Sequence, residues 1–368
     1  MGTGGESLRV LIAAGGTGGH IYPALAVARK LKEMDPGAEV IFCGTERGLE
    51  RRIVPRAGFS LEMVRVKPLR GGSMFRKVKA AAFLPLAFVD AARLLWRTHP
   101  RVVMGVGGYV SGPIMAVSGL SRVPTLLLEP NATPGLANRW LCPFIDTAAV
   151  AWEETKRFFG AKAFVSGNPV RDDIARIGAR AVDENLRVLV FGGSQGSHVL
   201  NEAMLAALPH LEGHKKRLTV THQTGEKELE MVRAIYRKTN ITARVEPFLY
   251  EMSEAYADCD LVVSRAGATT CAELAAAGRP SVLVPLPIAG GHQRENAEMM
   301  ERAGAAIALP EEKLSGEVLS RILIDLMNRP EQRRGMAETA RSLARPEASK
   351  IIAERLLELA GGTGGWGG

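Results

Sequence analysis

Two glycine-rich turns in this sequence have the composition of anion-binding sites. The segments GGTGGH (residues 15–20) and GGSQGS (residues 192–197) each follow a short apolar run and precede a helix-like stretch, at residues 24–34 and 199–208. A strand, a glycine turn and a helix in this order point unpaired backbone N–H groups and the positive end of the helix dipole at one place. Each turn is therefore expected to bind a phosphate-sized anion.

A carboxylate and several amides in the second half suit a sugar or a ribose. Glu273 lies in SRAGATTCAEL (residues 264–274), one or two turns into a helix that follows a strand. A carboxylate there can accept hydrogen bonds from two adjacent ribose hydroxyls, and a solvated helix glutamate is the alternative. The segment HQRENA (residues 292–297) follows another strand and carries amides suited to sugar hydroxyls. Together with two anion-binding turns, this set indicates two phosphate-bearing substrates.

The elements that must position these residues are short apolar runs that alternate with helical stretches. This alternation is typical of a doubly wound parallel sheet. Because ligands of such sheets collect at the carboxyl ends of the strands, the loops at residues 15–20, 105–113 and 129–135 should line one edge together. The predicted strands are residues 8–14, 40–43, 61–64, 102–106 and 125–128 in the first half and 188–191, 218–222, 243–247, 261–264 and 281–285 in the second.

Two similar strand–glycine–helix openings, far apart in a chain of 368 residues, indicate two similar domains. A proline and a run of charges within residues 166–185 mark a hinge between them. We therefore predict an N-terminal domain at residues 7–165 and a C-terminal domain at residues 166–345. A last helix at residues 346–360 can pack on either domain, so its return to the N-terminal domain is left open.

The composition is that of an ordinary globular chain with a basic balance. The chain is 46% hydrophobic and 23% charged, and 47 Lys and Arg residues against 39 Asp and Glu residues leave a net charge of +8. This excludes a disordered protein and favours anionic partners such as nucleic acid, a membrane surface or phosphorylated metabolites. No recognised nucleic-acid module accompanies the charge, so we expect no nucleic acid as partner.

Cysteine usage and the start of the chain indicate the compartment. The four cysteines lie far apart without a CxxC pair, which indicates neither a zinc site nor a disulfide framework. The first apolar stretch is too short for a secretory signal and leads directly into the glycine turn. We therefore expect a cytoplasmic protein with reduced thiols.

A basic stretch at residues 65–101 differs from the rest of the first half. It contains nine Lys and Arg residues and one acid, Asp90, interleaved with apolar side chains. Its longest uncharged run, residues 80–89, is too short to span a bilayer. The spacing alone favours a core helix with a solvated basic face, and a helix pair resting on anionic lipid is the alternative.

Several familiar motifs are absent or misplaced. Neither glycine turn fits GxGxxG, since the third glycine position counted from Gly16 and Gly18 is Ile21, and no P-loop or HExxH segment occurs. Asp258 and Asp260 have the DxD form that holds a metal in some transferases. They precede a strand and therefore lie at the amino edge, opposite the ligand edge. We expect no metal bound by protein residues.

Residues 192–196 also satisfy GxSxG, the nucleophile elbow of hydrolases. Ser194 would then be the nucleophile and His292 a possible base. This interpretation ignores the first half of the chain, and it lacks both an acid at the correct strand edge and an HGGG-type oxyanion loop. A serine hydrolase and a non-catalytic protein of membrane surfaces are the alternatives to an enzyme with two phosphate-bearing substrates.

Seven segments, in order along both halves, carry a family resemblance: GGTGGH (15–20), GVGGYVSGP (105–113), EPNATPGLAN (129–138), GNPVR (167–171), GGSQGS (192–197), SRAGATTCAEL (264–274) and HQRENA (292–297). They resemble the MurG family, the UDP-N-acetylglucosamine:N-acetylmuramyl-(pentapeptide)-pyrophosphoryl-undecaprenol N-acetylglucosaminyltransferases of bacterial cell-wall synthesis. The resemblance implies an α/β protein of GT-B architecture, with two Rossmann-like doubly wound parallel-sheet domains facing across a cleft. The N-terminal domain would take lipid I and dock on the membrane, and the C-terminal domain would take UDP-GlcNAc.

The implied reaction is inverting transfer of N-acetylglucosamine (GlcNAc) from UDP-GlcNAc to the 4-hydroxyl of the N-acetylmuramic acid (MurNAc) of lipid I. The products are lipid II and UDP, and the process served is peptidoglycan synthesis, with cell shape and cell division. Protein partners from the cell-wall machinery are left open. No cofactor bound by protein residues is implied, and stimulation by Mg²⁺ through other contacts is left open.

Carried over position by position, the resemblance implies a donor site. Ser194 and its turn would hold the UDP phosphates, which Arg171 would also reach, and Leu249 beside Phe248 would lie at the uracil. Glu273 would bind the ribose. The amides of residues 131, 293 and 296 would meet the GlcNAc. The full implied set is Thr17, Gly18, Gly19, Asn131, Arg171, Ser194, Gln195, Gly196, Phe248, Leu249, Ala268, Thr269, Thr270, Glu273, His292, Gln293 and Asn296.

The resemblance also implies an acceptor site and a docking surface. His20 is the candidate for the base that takes the acceptor hydroxyl proton, because its ordinary pKa suits that task, and Glu129 is the alternative base. The residues facing the acceptor diphosphate would be Gly15, Gly16, Gly18, Gly19, His20, Gly108 and Tyr109. The family works at the inner face of the cytoplasmic membrane, which implies a peripheral protein docking on anionic lipid through Met74, Phe75, Arg76, Lys77 and Lys79.

One loop departs from the family pattern. Leu128 and Pro130 flank Glu129 where the family commonly has a histidine and a glutamine. The departure removes two polar groups and leaves Glu129 and Asn131 as the residues of this loop to which a role can be carried over.

Overall fold

The structure is a computed structural model that describes residues 7–16, 18–46, 48–66, 84–287 and 291–362. It divides into two units, Met1–Val170 with Arg345–Gly368 and Arg171–Ala344. The second unit thus spans Arg171–Ala344. The sequence analysis predicted residues 166–345 for the C-terminal domain.

The first unit is built on a seven-stranded parallel sheet. Its strand order is β3-β2-β1-β4-β5-β6-β7, so the direction of winding reverses between β1 and β4. The loops after β1, β4 and β5 therefore share one edge, as predicted for residues 15–20, 105–113 and 129–135. The strands are β1 (Arg9–Ala13), β2 (Glu39–Gly44), β3 (Ser60–Met63), β4 (Val102–Gly105), β5 (Thr125–Glu129), β6 (Thr147–Val150) and β7 (Ala163–Val165).

Helices cover both faces of this sheet, and for that reason its central strands are continuous apolar runs. All five residues of β5 are buried. The described helices of the first unit are α1 (Gly18–Met34), α2 (Glu50–Arg56), α3 (Leu84–Thr98), α4 (Gly108–Leu120), α5 (Leu136–Leu141) and, from the end of the chain, α14 (Ala348–Gly361). Short 3-10 turns lie at Cys142–Phe144, Glu153–Phe158 and Gly160–Lys162.

The last helix belongs to the core of the first unit. Ile352, Ala353 and Leu356 of α14 are fully buried in one apolar cluster with Ala28 and Leu31 of α1. Burying this stripe removes apolar surface from water at both helices, which stabilises their contact. Of the two positions that the sequence left open for the final helix, the structure shows the one on the N-terminal unit.

The second unit repeats the architecture with six parallel strands in the order β10-β9-β8-β11-β12-β13. The strands are β8 (Leu186–Phe191), β9 (Leu218–Gln223), β10 (Thr242–Glu246), β11 (Leu261–Ser264), β12 (Ser281–Leu283) and β13 (Ala306–Ala308). Its described helices are α6 (Asp172–Ala175), α7 (His198–Leu211), α8 (Leu229–Tyr236), α9 (Met252–Asp258), α10 (Ala268–Ala277), α11 (His292–Arg302), α12 (Gly316–Asn328) and α13 (Pro330–Ser342), with 3-10 turns at Glu212–His214, Glu226–Glu228 and Glu311–Lys313.

These two sheets confirm the predicted fold class of two doubly wound parallel-sheet domains. In the second unit the winding reverses between β8 and β11, so the turn after β8 and the start of α10 after β11 meet at one crevice. Ligands of doubly wound sheets bind at such a reversal, at the carboxyl ends of the strands. Among the described residues, no helix is long and apolar enough to cross a bilayer.

Several element boundaries differ from the prediction. Helix α1 begins at Gly18 rather than at residue 24, because the end of the glycine turn forms its first turn. The strands β6, β7 and β13 were not predicted, since they are only three or four residues long and rich in alanine, which gives a weak strand pattern.

Candidate functional site

The second glycine turn has backbone conformations that require glycine. Gly193 and Gly196 have φ of 97° and 76°, in the left-handed region that other residues avoid. A Cβ on Gly196 would lie 2.0 Å from the carbonyl oxygen of Thr224, so the turn packs directly on the loop after β9. Ser194 is exposed within this turn, and so is the following Gln195. The sequence therefore folds into the open, backbone-lined turn that an anion requires.

Glu273 is buried in α10, close to the reversal of winding between β8 and β11. It is therefore not a solvated helix glutamate, which was the alternative interpretation of the sequence. Its side chain accepts a hydrogen bond from the Tyr256 hydroxyl at Oε2, 3.0 Å away, and its Oε1 lies 3.9 Å from Nε of Arg171. Burial raises the pKa of the Glu273 carboxyl to about 7, and both Arg171 and Tyr256 oppose that rise. A carboxylate held beside a cation near the glycine turn can accept hydrogen bonds from ligand hydroxyls.

The loop after β10 is joined to the glycine turn. Gly225 donates its N–H to the carbonyl of Pro247 at 3.1 Å, and a Cβ on Gly225 would lie 2.2 Å from the carbonyl oxygen of Gln195. Leu249 follows as a buried side chain, while Phe248 is 38% exposed. The structure thus brings the predicted uracil residues and the predicted phosphate turn to the same edge of the sheet.

The start of α10 contains further residues that the sequence analysis assigned to the UDP-GlcNAc site. Gly267 precedes the helix with an extended backbone, φ −64° and ψ 143°, and the first helical residues are Ala268, Thr269 and Thr270. All three are half-buried. Because α10 follows β11, the neighbour of β8, the backbone N–H groups of its first turn point to the crevice that the glycine turn borders.

The amides of α11 have structural partners. Asn296 is fully buried, and its side-chain N–H donates to the carbonyl of Ala266 at 3.1 Å. Gln293 accepts the backbone N–H of Leu286 at 3.0 Å through Oε1. These bonds tie the loops after β11 and β12 together at the ligand edge. His292 is the first residue of α11 and is half-buried.

A buried polar network supports the glycine turn from behind. His222 bonds the side chain of Asn201 at 3.0 Å, and Asn201 donates to the carbonyl of Thr224 at 3.0 Å and to Glu228 at 2.7 Å. Burial lowers the pKa of His222 to about 4, so the ring is neutral near neutral pH. Because Thr224 contacts Gly196, this network fixes the position of the turn.

The first glycine turn already holds a carboxylate. The Gly16 N–H donates to Oε2 of Glu50 at 3.0 Å, and Thr45 donates to Oε1 through its N–H at 2.8 Å and its hydroxyl at 3.0 Å. Glu50 is fully buried, and a Cβ on Gly48 would lie 1.9 Å from its Oε2. A ligand anion therefore meets a turn in which the Gly16 amide is taken by a protein carboxylate, which the sequence analysis did not foresee.

His20 lies in the first turn of α1 against the loop after β4. Its Nδ1 is 3.2 Å from the carbonyl oxygen of Gly15, and because a carbonyl only accepts, this bond places the ring proton on Nδ1 and the lone pair on Nε2. Gly107 and Gly108, with φ of 92° and 77°, pass beside the ring. Burial lowers the pKa of His20, which keeps the imidazole neutral.

Tyr109 is joined to the same cluster. Its hydroxyl lies 3.2 Å from Oγ1 of Thr45, which also bonds Glu50. The structure therefore brings together Gly15, Gly16, His20, Gly108 and Tyr109 of the predicted acceptor set, and Gly18 and Gly19 form the start of α1 beside them.

Glu129, the alternative base, is saturated with hydrogen bonds. It is fully buried. Its Oε1 accepts the N–H and the side-chain amide of Asn131 at 3.0 and 2.9 Å, and its Oε2 accepts the Gly135 N–H at 3.2 Å and the Asn138 amide at 2.7 Å. Burial raises the pKa of Glu129, and the four bonds oppose that rise. The carboxylate holds the loop that carries Asn131 in place.

Six predicted residues lie outside the described part of the chain. They are Thr17 of the first glycine turn and the docking residues Met74, Phe75, Arg76, Lys77 and Lys79.

In the part of the chain that the structure describes, the residues of the DxD and GxSxG motifs do not form the metal site or the catalytic pair that these motifs would require. Asp260 bonds Arg180 at 2.9 Å and Arg187 at 3.0 Å, directly before β11 and thus at the amino edge. Within the described residues, no hydrogen bond joins Ser194 to a histidine. The histidine next to this turn, His198, bonds Glu228 at 2.7 Å.

Sequence reasoning missed Glu50, Asn138 and Tyr256, which hold the predicted residues in place. The role of Glu50 could have been inferred from the sequence, because Glu50 follows the end of β2 in GTERGLE (44–50), where glycines stand at both sides of the turn. Tyr256 had none, since a tyrosine in the middle of a short helix is most simply a core residue.

Comparisons with known proteins agree with this geometry. Residues 10–150 match the glycosyltransferase family 28 N-terminal domain, and residues 187–354 match the glycosyltransferase family 28 C-terminal domain. A protein of Anaeromyxobacter sp. (strain K) is 44% identical over 356 residues, which is 96% of this chain and 93% of the relative. It is named UDP-N-acetylglucosamine–N-acetylmuramyl-(pentapeptide) pyrophosphoryl-undecaprenol N-acetylglucosamine transferase.

A second relative and a solved structure extend the comparison. A protein of the same name from Pelobacter propionicus is 41% identical, covering 95% of this chain and 99% of the relative. The crystal structure of Acinetobacter baumannii MurG superposes with a TM-score of 0.78 and 32% identity, covering 95% of this chain and 99% of that chain.

Proposed function

This chain belongs to glycosyltransferase family 28 and, within it, to the MurG enzymes, and we propose how its residues share the work of the transfer. The chain is a UDP-GlcNAc-dependent N-acetylglucosaminyltransferase that converts lipid I to lipid II in peptidoglycan synthesis. Family membership decides against the serine hydrolase and against the non-catalytic membrane protein. Beyond this, we propose roles for individual residues, a contact with the membrane and transfer without a metal bound by protein side chains.

The second unit binds the donor. The observation that carries this proposal is the burial of Glu273 between Tyr256 and Arg171, on the helix that borders the glycine turn. The turn at residues 192–197 offers backbone N–H groups to the diphosphate, and Glu273 offers its carboxylate to the two ribose hydroxyls. Phe248 and Leu249, joined to the turn through Gly225, provide the apolar surface for the uracil.

The sugar lies against the first turns of α10 and α11. Thr269 and Thr270 are half-buried in the first turn of α10. Gln293 and Asn296 fix the loops after β12 and β11 and present their remaining hydrogen-bonding groups to the GlcNAc. Asn131 of the first unit is proposed as a further sugar contact, held in position by Glu129.

Charge on the leaving UDP is stabilised by fixed groups of the protein. Negative charge builds on the diphosphate as the bond to the sugar breaks, and preorganised N–H donors with a nearby cation lower the energy of that state. The turn at residues 192–197 and Arg171 supply these groups. We therefore propose transfer without a metal held by protein side chains, so that any stimulation by Mg²⁺ acts through substrate phosphates. Titration of Mg²⁺ and EDTA in a turnover assay tests this.

We propose that the first unit supplies the base and that this base is His20 rather than Glu129. A general base must be in its deprotonated form at the working pH. The bond to Gly15 leaves the lone pair of His20 on Nε2, and burial lowers the pKa of the ring. Glu129 has both oxygens bonded to four donors, so it positions the loop instead of accepting a further proton.

Turnover of lipid I by His20→Ala and Glu129→Gln tests the base. We expect His20→Ala to lower kcat by about 10²–10⁴-fold, the usual contribution of a general base, with UDP binding unchanged. Glu129→Gln keeps two of the four acceptor bonds, because one carboxylate oxygen becomes an NH₂ group, and it should lower kcat far less than His20→Ala. Near wild-type turnover by His20→Ala would reduce His20 to a phosphate contact or a helix-start residue.

We also propose that α3 takes part in docking on an anionic membrane. Leu86, Val89 and Trp96 are 41%, 44% and 74% exposed and recur at helical spacing, while the opposite side of α3 is buried. Arg93 is exposed on the same stripe. An apolar stripe with a cation suits the headgroup region of anionic lipid, and the basic residues 76, 77 and 79 precede it in the sequence.

Flotation with vesicles that contain anionic lipid tests the docking surface. Charge reversal at residues 76, 77 and 79, or Leu86→Ser with Trp96→Ser, should weaken binding and leave UDP binding unchanged. Trp140→Ser removes an equally exposed tryptophan from α5 and serves as the control. Unchanged vesicle binding by both variants would contradict this part of the proposal and leave the transferase function intact.

A further inference from the structure

A cavity of about 370 Å³ lies at the amino ends of the strands in the second unit, away from the edge that carries the glycine turn. It is bounded by Asp260 and Pro280, the residues directly before β11 and β12, by α13 and by residues 179–182. Its size lies within the ~300–1,000 Å³ of small-molecule sites. None of the residues proposed for the transfer reaction lines it.

Positive charge dominates the cavity. Five arginines line it against two acids, Asp260 and Glu338. Asp260 is already paired with Arg180 at 2.9 Å and with Arg187, outside the cavity, at 3.0 Å. The lining arginines are Arg180, Arg279, Arg333, Arg334 and Arg341.

Three of these arginines bond only uncharged acceptors. The guanidinium groups of Arg279, Arg333 and Arg341 donate to backbone carbonyls at 2.5–3.4 Å, and none of the three has a carboxylate within ion-pair distance among the described residues. Arg279 and Arg333 are only 3% and 1% exposed, and burial lowers the pKa of both. Carbonyls satisfy the N–H groups, and the acids Asp260 and Asp183 act on the buried charges only from beyond ion-pair distance, so no counterion lies at close range.

Arg333 also has a donor without an acceptor. Its two terminal nitrogens bond the carbonyls of Asn185 and Asp183, at 3.0 and 2.5 Å. Its Nε is buried and has no hydrogen-bond partner among the described residues. A buried N–H without an acceptor costs free energy that a bound acceptor would restore.

The walls between the arginines are apolar, formed by Ala181, Val182, Pro280 and Ala337. From this arrangement we propose that the cavity binds a small organic anion, whose carboxylate or phosphate head contacts the arginines and whose apolar body contacts these walls. The site is separate from the donor site and goes beyond the transferase function. Helix α10 connects the two edges of the sheet. Gly278 and Arg279, which directly follow the helix, line the cavity, while Glu273 lies within the helix and belongs to the proposed donor site.

Calorimetry with phenyl phosphate tests the proposal on the full chain, with the donor site first saturated by UDP. Benzoate replaces the phosphate head by a carboxylate, and inorganic phosphate and benzyl alcohol each provide half of the ligand. Ala337→Leu fills the cavity from α13, and Gln332→Leu adds a similar side chain at an exposed position of the same helix outside the cavity. Ala181→Leu fills it from the other wall and replaces Ala337→Leu should that variant not fold.

We expect phenyl phosphate or benzoate to bind wild type and Gln332→Leu more tightly than either half-ligand. The cavity-filling variant should weaken this binding at least about tenfold while UDP affinity stays the same. Absence of saturable binding to wild type, or equal binding by a folded cavity-filled variant, would overturn the proposal. Neither result would bear on the transferase function, which UDP binding and turnover report.

Discussion

Replacing Glu50 by glutamine should loosen the first glycine turn. The amide can keep one oxygen as acceptor for the N–H and the hydroxyl of Thr45, but it then places its NH₂ group opposite the Gly16 N–H, a donor against a donor. The lost bond is partly buried and goes to a carboxylate, so its removal should cost about 1–3 kcal/mol of stability in the first unit. For a domain of this size, each kcal/mol lowers Tm by about 2–4 °C.

The expected kinetic effect is confined to the acceptor. Glu50 and the first turn lie in the first unit, whereas Glu273 and the second turn lie in the second. Glu50→Gln should therefore raise KM for lipid I, by about tenfold if ~1.4 kcal/mol of the loss appears in acceptor binding. The Kd of UDP-GlcNAc should not change. Glu46→Gln, at an exposed residue of the same loop, is the matched control.

Thermal melts, lipid I kinetics and UDP-GlcNAc calorimetry on the two variants check this prediction. A Glu50→Gln protein with wild-type Tm and wild-type KM for lipid I would refute the reasoning, since the buried carboxylate would then support neither the turn nor the acceptor. A change in UDP-GlcNAc affinity alone would refute the assignment of the first turn to the acceptor.

Three further predictions concern the second unit. Tyr256→Phe removes a hydrogen bond that lowers the pKa of Glu273, so the rise of UDP affinity with pH, centred near 7 in wild type, should move to higher pH in calorimetry. Gly196→Ala should abolish UDP binding because its Cβ meets the Thr224 carbonyl at 2.0 Å, whereas Gly193→Ala, with open space around it, should cost less; equal losses would contradict this. The His222 pKa of about 4 lies below the unfolded value of 6.5, so neutral His222 stabilises the fold at neutral pH and this contribution is lost as pH falls. Urea titrations should show about 2 kcal/mol less stability at pH 5 than at pH 7, and His222→Gln should lack this component.

The fold was predictable from the sequence because its signals are local. Buried parallel strands are continuous apolar runs, and each glycine turn marks the end of a strand and the start of a helix. The same runs predict at which edge of the sheet each candidate residue lies, since any residue just after a parallel strand lies at the ligand edge. The short strands β7 and β13 were not predicted, because three residues are too few to show a recognisable strand pattern of apolar side chains.

The contacts that hold the site in place were not predictable in this way. Glu50 of α2 bonds Gly16 in the turn after the neighbouring strand β1, and Tyr256 bonds Glu273 from a different helix, so neither pairing has a fixed spacing in the sequence. The arginine cavity likewise gathers residues from α10, α13 and the segment before β8. Such contacts depend on the packing of whole elements, which local periodicity does not specify.

Binding of UDP-GlcNAc to wild type and Glu273→Ala tests the donor site most directly. Calorimetry at about pH 8, above the pKa of about 7 for Glu273, with UDP-GalNAc as control, should show selective binding of UDP-GlcNAc by wild type and its loss in Glu273→Ala. Equal binding by the two proteins would contradict the proposed role of Glu273, and binding of neither nucleotide sugar by wild type would contradict the donor site itself.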